Sequence, residues 1–244
     1  MIKVPFLSRH SIESEAQILL NGYGQKYGLV KDPPVPVDDI LNVYLRVTLD
    51  FDDLAKILNT AADVFGATWI ERQQVIIDQS LDPTNHPESI GRYNFTVGHE
   101  TGHWQLHRKY FVSDPNQSPL FEHEQRSPTV VCRTSDAKEP IEWQADYFSA
   151  CLLMPQEMVR RCWQSKYSVA RISTDEIRRE MYSNSVSPYG RDFIGSDDSV
   201  IERFAKPLSR DFAVSPIAMR IRLENLGLVV RQPRSSLFEA AGIT

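Results

Sequence analysis

The feature that most constrains this chain is His99-Glu100-Thr101-Gly102-His103, an HExxH inside a stretch, Ile90 to about Tyr110, whose patterning predicts a helix. Residues four apart share one helix face, with Cβ atoms roughly 5–6 Å apart, so two imidazoles can converge on one ion. Glu100 sits beside the first histidine, where its carboxylate can reach a metal-bound water and take its proton; zinc lowers the pKa of such a water to roughly 7. A fold that uses this motif must bring a third ligand to the same helix face from another element.

His107 continues the series, but eight helical residues span about 12 Å, too far for ligation of the same ion. The third-histidine pattern HExxHxxGxxH is also absent, since positions 106 and 109 are Leu and Lys. His107 therefore reads as a packed or hydrogen-bonded histidine. The favoured third ligand is Glu142, on a helix expected to begin at Pro140 and to stop before Pro155. Asp146 lies one turn later on the same face, placed to accept the distal N–H of a ligating imidazole. Glu139 competes for the ligand role but would sit at the helix cap.

Elsewhere the pattern predicts a helix over residues 11–29, a proline-rich break at 31–36, a strand at 43–49 and a helix at about 54–64. Residues 67–70 and 75–78 read as a hairpin, and 113–139 as a long loop with a short strand at 129–133. From 156 onward the pattern is helical, apart from a polar break at 183–198. The 244 residues suffice for a substantial core, and 41% hydrophobic content with eleven Phe, nine Tyr and four Trp argues against disorder as the dominant state. A net charge of -5 argues against a surface that coats nucleic acid or an anionic membrane. No apolar run approaches the ~18 residues of a membrane span. Three cysteines without a CxxC give no disulfide scaffold, so a cytoplasmic setting is expected.

The run Arg92-Tyr93-Asn94-Phe95-Thr96-Val97-Gly98-His99-Glu100-Thr101-Gly102-His103, continuing to His107, resembles the R-x-x-F-T-x-A-H-E-x-G-H-x-x-x-H string of the ImmA/IrrE metallopeptidases. The block from Glu142 to Pro155 resembles their E-x-x-A-N-x-F-A-x-x-L-L-M-P, with a weaker match at Phe212–Ser215 and Met219–Leu228. The resemblance implies His99, His103 and Glu142 as ligands of one Zn2+ ion per chain and Glu100 as the catalytic carboxylate. It also implies a cytoplasmic peptidase that cleaves a helix-turn-helix repressor and so derepresses stress, prophage or mobile-element genes. Gly98 stands where Ala is usual, Asp146 where Asn is common, and the long interval from His103 to Glu142 suggests an insertion near the cleft.

The expected fold is α+β: a mostly helical zincin-like metallopeptidase domain over 1–160 with a small antiparallel sheet, followed by a helical C-terminal region over 161–244. Within the latter, residues 203–230 have a helix-turn-helix cadence. Residues 203–234 hold seven basic side chains against two acidic ones, in a chain of opposite net sign. The alternative to an endopeptidase is therefore a DNA-binding regulator with a structural or sensory metal site, reading DNA through Arg220 and Arg222.

Overall fold

The computed structural model describes residues 4–60, 63–111, 128–133, 139–183 and 195–231. The expected polar break at 183–198 and most of the long loop at 113–139 lie largely outside them. The chain divides into two compact units, one of residues 1–159 with 211–215, the other of residues 160–210 with 216–244.

The first unit begins with α1 (Arg9–Tyr27), whose N-terminus is capped by the Ser8 hydroxyl accepting from the Ser11 N–H at 3.1 Å. Ile12, Ala16, Leu19, Leu20 and Tyr23 form its buried stripe, and Gly28, at φ 109°, ends it. After the prolines come the short α2 (Val37–Asp39) and a π-helical turn over Ile40–Tyr44. The strand expected at 43–49 lies later, as β1 (Thr48–Asp52), because 40–44 extends the preceding helical turn. The helix expected to 64 is only α3 (Leu54–Ile57), and Val64 already opens β2 (Val64–Trp69). Its apolar residues serve a different purpose: Leu54 and Leu58 pack on Val64, Ala67, Trp69 and Ile76 of the sheet.

β2 pairs antiparallel with β3 (Gln74–Asp78) as the expected hairpin, and with β4 (Val130–Arg133) on its other side. The sheet order is β1-β3-β2-β4. It is mixed rather than purely antiparallel, because β1 runs parallel to β3, from Thr48 opposite Gln74 to Asp52 opposite Asp78. The connection through α3 carries the chain past the position that β3 then fills.

α4 (Ile90–Gly102) continues as a π-helical turn over His103–His107 and a final 3-10 turn to Tyr110. It packs against β2 and against α5 (Pro140–Leu153), and α5 packs also against α1. The α4–α5 approach is close because small residues line it. A Cβ at Gly102 would lie 3.1 Å from the Cα and O of Ala145, and one at Gly98 would lie 2.5 Å from the Ser149 hydroxyl. The segment 211–215 belongs to this unit, where Asn94 donates from Nδ2 to the Ala213 carbonyl at 2.9 Å.

The second unit is helical. α6 (Gln156–Tyr167) runs into it, followed by α7 (Thr174–Ser183), α8 (Asp197–Asp211) and α9 (Pro216–Asn225). A two-stranded parallel pair, β5 (Ile172–Ser173) with β6 (Val229–Val230), closes it. Trp163 is fully buried among Tyr167 and Phe204, and its indole N–H donates to the Val169 carbonyl at 2.7 Å. Cys151 and Cys162 are in no disulfide. No helix among the described residues is long and apolar enough to cross a membrane.

Candidate metal centre

His99 and His103 are separated by one turn at the C-terminal end of α4, and both are buried. Glu142, in the first turn of α5, is buried against them. His99 Nε2 lies 2.8 Å from His103 Nε2 and 3.1 Å from Glu142 Oε2, and His103 Nε2 lies 3.5 Å from Glu142 Oε1. Ligands placed tetrahedrally about one zinc at its usual bond lengths stand roughly 3.3 Å apart. The three observed separations bracket that value, and the donor set of two imidazoles and one carboxylate suits a borderline-soft divalent ion. Among the described residues this is the group whose ligand atoms converge in this way.

Each imidazole has a partner at its far nitrogen. Asp146, one turn beyond Glu142, brings Oδ1 to 2.8 Å from His99 Nδ1. With the proton on Nδ1 donated to that carboxylate, the lone pair of Nε2 faces the centre. Glu139 is exposed at the cap of α5 and takes no part. His107 is fully buried outside the ligand group; its Nδ1 is 3.1 Å from His103 Nδ1, and its Nε2 is 3.2 Å from Gln144 Oε1.

Glu100 is fully buried beside the histidines. The Thr68 hydroxyl, on β2, donates to Glu100 Oε2 at 2.5 Å. Among the described residues Oε1 accepts no hydrogen bond. A buried carboxylate oxygen without a donor is costly. The neighbouring strand leaves room for it by carrying glycine: a Cβ on Gly66 would collide with Glu100 Oε1. Neither Thr68 nor Gly66 carries a local sequence signal, since the contact spans more than thirty residues and depends on β2 packing on α4.

Burial raises the Glu100 pKa, with the nearby His99 and His103 and the Thr68 hydrogen bond pulling the other way. For Glu142 burial also favours the neutral acid, but in the ion-free protein the adjoining His103 and His99, when protonated, outweigh it and hold the carboxyl at about 2. The two carboxylates, although close, are thus driven in opposite directions. Glu142 is held in its charged form, and Glu100 is driven toward its neutral one. His107 is pushed down to about 4 by burial and by His103, which keeps its ring neutral.

In the second unit, Arg220 is only 13% exposed and ion-paired with Glu202 at 3.0 Å, Glu224 at 3.1 Å and Asp198 at 3.5 Å. Arg222 is buried. The basic surplus read over residues 203–234 is therefore opposed by Asp198 and Glu202, which lie just before it. The two arginines expected to meet DNA are not presented to solvent.

A family model described as the IrrE N-terminal-like domain, Peptidase_M78, matches residues 60–182, half of the chain. No curated protein matches it. Among solved structures, a Mycobacterium tuberculosis transcriptional regulator aligns with a TM-score of 0.45 at 15% identity, over 92% of this chain and 48% of its own length. The chain thus spans about half the length of that protein.

Proposed function

Since the chain belongs to the peptidase family defined by the IrrE N-terminal-like domain, we propose that it is a zinc-dependent endopeptidase that cleaves a helix-turn-helix transcriptional repressor. In this reading residues 1–160 are the metallopeptidase domain and 161–244 an accessory helical region, and the enzyme works in the cytoplasm. His99, His103 and Glu142 hold the ion and Asp146 orients His99. The observation that carries the reading is Glu100, a buried carboxylate beside the ligand group with one oxygen held by Thr68 and the other open. A purely structural metal site has no need of such a group.

When bound, the ion supplies Lewis acidity toward a scissile carbonyl and acidifies a water beside it. Glu100 Oε1 takes the proton of the attacking water and returns it to the leaving amine. Thr68 donates to Oε2, so Oε1 is the oxygen left to carry the proton. Burial raises the proton affinity of Glu100, the direction a group that must hold a proton between the two transfers needs. The repressor as substrate rests on the likeness of the two motif blocks to the ImmA/IrrE pattern.

The test is zinc content together with cleavage of a helix-turn-helix repressor from the same genomic neighbourhood, for the wild type and for Glu100→Gln. The amide keeps the volume and the Thr68 contact but cannot shuttle a proton. Zinc should be retained and cleavage should fall by a factor of roughly 100 or more; cleavage at the wild-type rate would overturn the assignment of Glu100.

A further inference from the structure

Gln144, fully buried on α5 between Glu142 and Asp146, is the starting point. Its Nε2 donates to the Pro5 carbonyl, in the extended segment before α1, at 3.1 Å. A carbonyl can only accept, so the amide has one orientation and its Oε1 is the atom that faces His107. His107 Nε2, 3.2 Å away, must then carry a proton and donate it. The ring is buried, and among the described residues its hydrogen-bond partners are His103 and Gln144, with no carboxylate to pair a charged ring, so it is neutral and its Nδ1 is a bare lone pair. His103 Nδ1, 3.1 Å from that lone pair, must be the donor. The lone pair of His103 is thereby left on Nε2, the nitrogen that faces His99 and Glu142.

We propose that His107 and Gln144 form a polarity-fixing relay, anchored on the Pro5 carbonyl, that holds His103 in its metal-binding tautomer. His107 is thus a positioning residue, acting through His103 as Asp146 acts through His99. The two ligand histidines are oriented by different chemistries: a charged carboxylate on one side, and a neutral imidazole–amide chain on the other. The neutral chain adds no negative charge to the centre, which already contains Glu142 and Glu100. His107 follows His103 by one turn in the π-helical segment, and the two rings lie tilted with centroids 5.2 Å apart. The inference rests on the metal-site reading above.

The test measures zinc affinity by competition with a chromophoric chelator, and the His103 tautomer by 15N–1H imidazole correlations in the zinc-loaded protein. His107→Leu removes the acceptor and should weaken zinc binding by about 10- to 100-fold, the range found when a partner of a metal-bound histidine is lost. It should also abolish the protected Nδ1–H signal of His103. His107→Asn places an amide oxygen near the former Nδ1 and should recover most of the affinity. Gln144→Met keeps both histidines while releasing the tautomer, should weaken binding several-fold, and decides the matter if the leucine variant does not fold. Wild-type affinity in both His107→Leu and Gln144→Met would overturn the relay. So would an asparagine variant as weak as the leucine one, since loss of packing alone would then account for the effect. A wild type that binds no zinc would instead overturn the metal-site reading.

Discussion

His107 occupies a position where helix arithmetic and tertiary packing lead to different levels of description. The rise per residue places it too far from an ion held by His99 and His103, and it lies outside the group whose ligand atoms converge, but spacing could not say what it does instead. Its partners are His103 on its own helix and Gln144 on α5. Burial with that neutral partner has a measurable consequence in the metal-free protein. The folded ring titrates at about 4, against 6.5 in an unfolded chain. Between those values the unfolded state binds a proton that the folded state does not, so stability is complete above pH 6.5 and is lost as pH falls toward 4. The contribution is about 3 kcal/mol when fully expressed. Urea titrations in chelator should show this loss in the wild type, and a shallower pH dependence in His107→Asn.

Between elements, the seam of α4 and α5 explains one of the departures from the family pattern. Gly98 stands where Ala is usual, and the residue facing it, Ser149, also stands where the pattern has Ala. The Ser149 hydroxyl occupies the space that a Cβ at position 98 would take, and donates to the Phe95 carbonyl at 2.9 Å. Gly98 and Ser149 are therefore complementary in size. Gly98→Ala alone should cost about 1–2 kcal/mol, overpacking outweighing the better helix propensity of alanine. In a Ser149→Ala background the same change should be neutral or stabilising. Denaturant unfolding of the double-mutant cycle should give a coupling of about 1 kcal/mol or more; additive effects would mean that the contact does not matter. The elements that periodicity misplaced, the strand near 43–49 and the helix near 54–64, are short apolar stretches flanking the sheet. Leu54 and Leu58 have helical spacing because they cover the sheet, not because the helix continues. The long helices α4 and α5 were legible because their caps, prolines and apolar stripes are local.

For the whole molecule, the distribution of charge is the property that sequence counting described least well. A window of residues 203–234 is basic, yet Asp198 and Glu202 lie outside it and fold back onto Arg220. Arg220→Ala should accordingly act on stability. Removing a largely buried guanidinium shared by three carboxylates should cost about 1–3 kcal/mol, seen as a lower midpoint of thermal unfolding. Its effect on any salt-sensitive DNA retardation should be small. A steeply salt-dependent shift abolished by Arg220→Ala, with the fold intact, would restore the DNA-binding alternative.

The sequence by itself determined the donor set: two imidazoles at i and i+4 with a carboxylate at i+1 on one helix, and a pair of carboxylates on another. These are short-range relations, governed by the 3.6-residue turn, and they need no knowledge of the rest of the chain. Tertiary structure alone decided how that chemistry is held. The Thr68 hydroxyl reaches Glu100 across 32 residues, and the Pro5 carbonyl meets Gln144 across 139. The carboxylates that neutralise Arg220 are likewise fixed only once α8 and α9 have folded. Such hydrogen bonds and ion pairs form between atoms that packing brings within about 3 Å, and no local periodicity encodes which distant residues those will be.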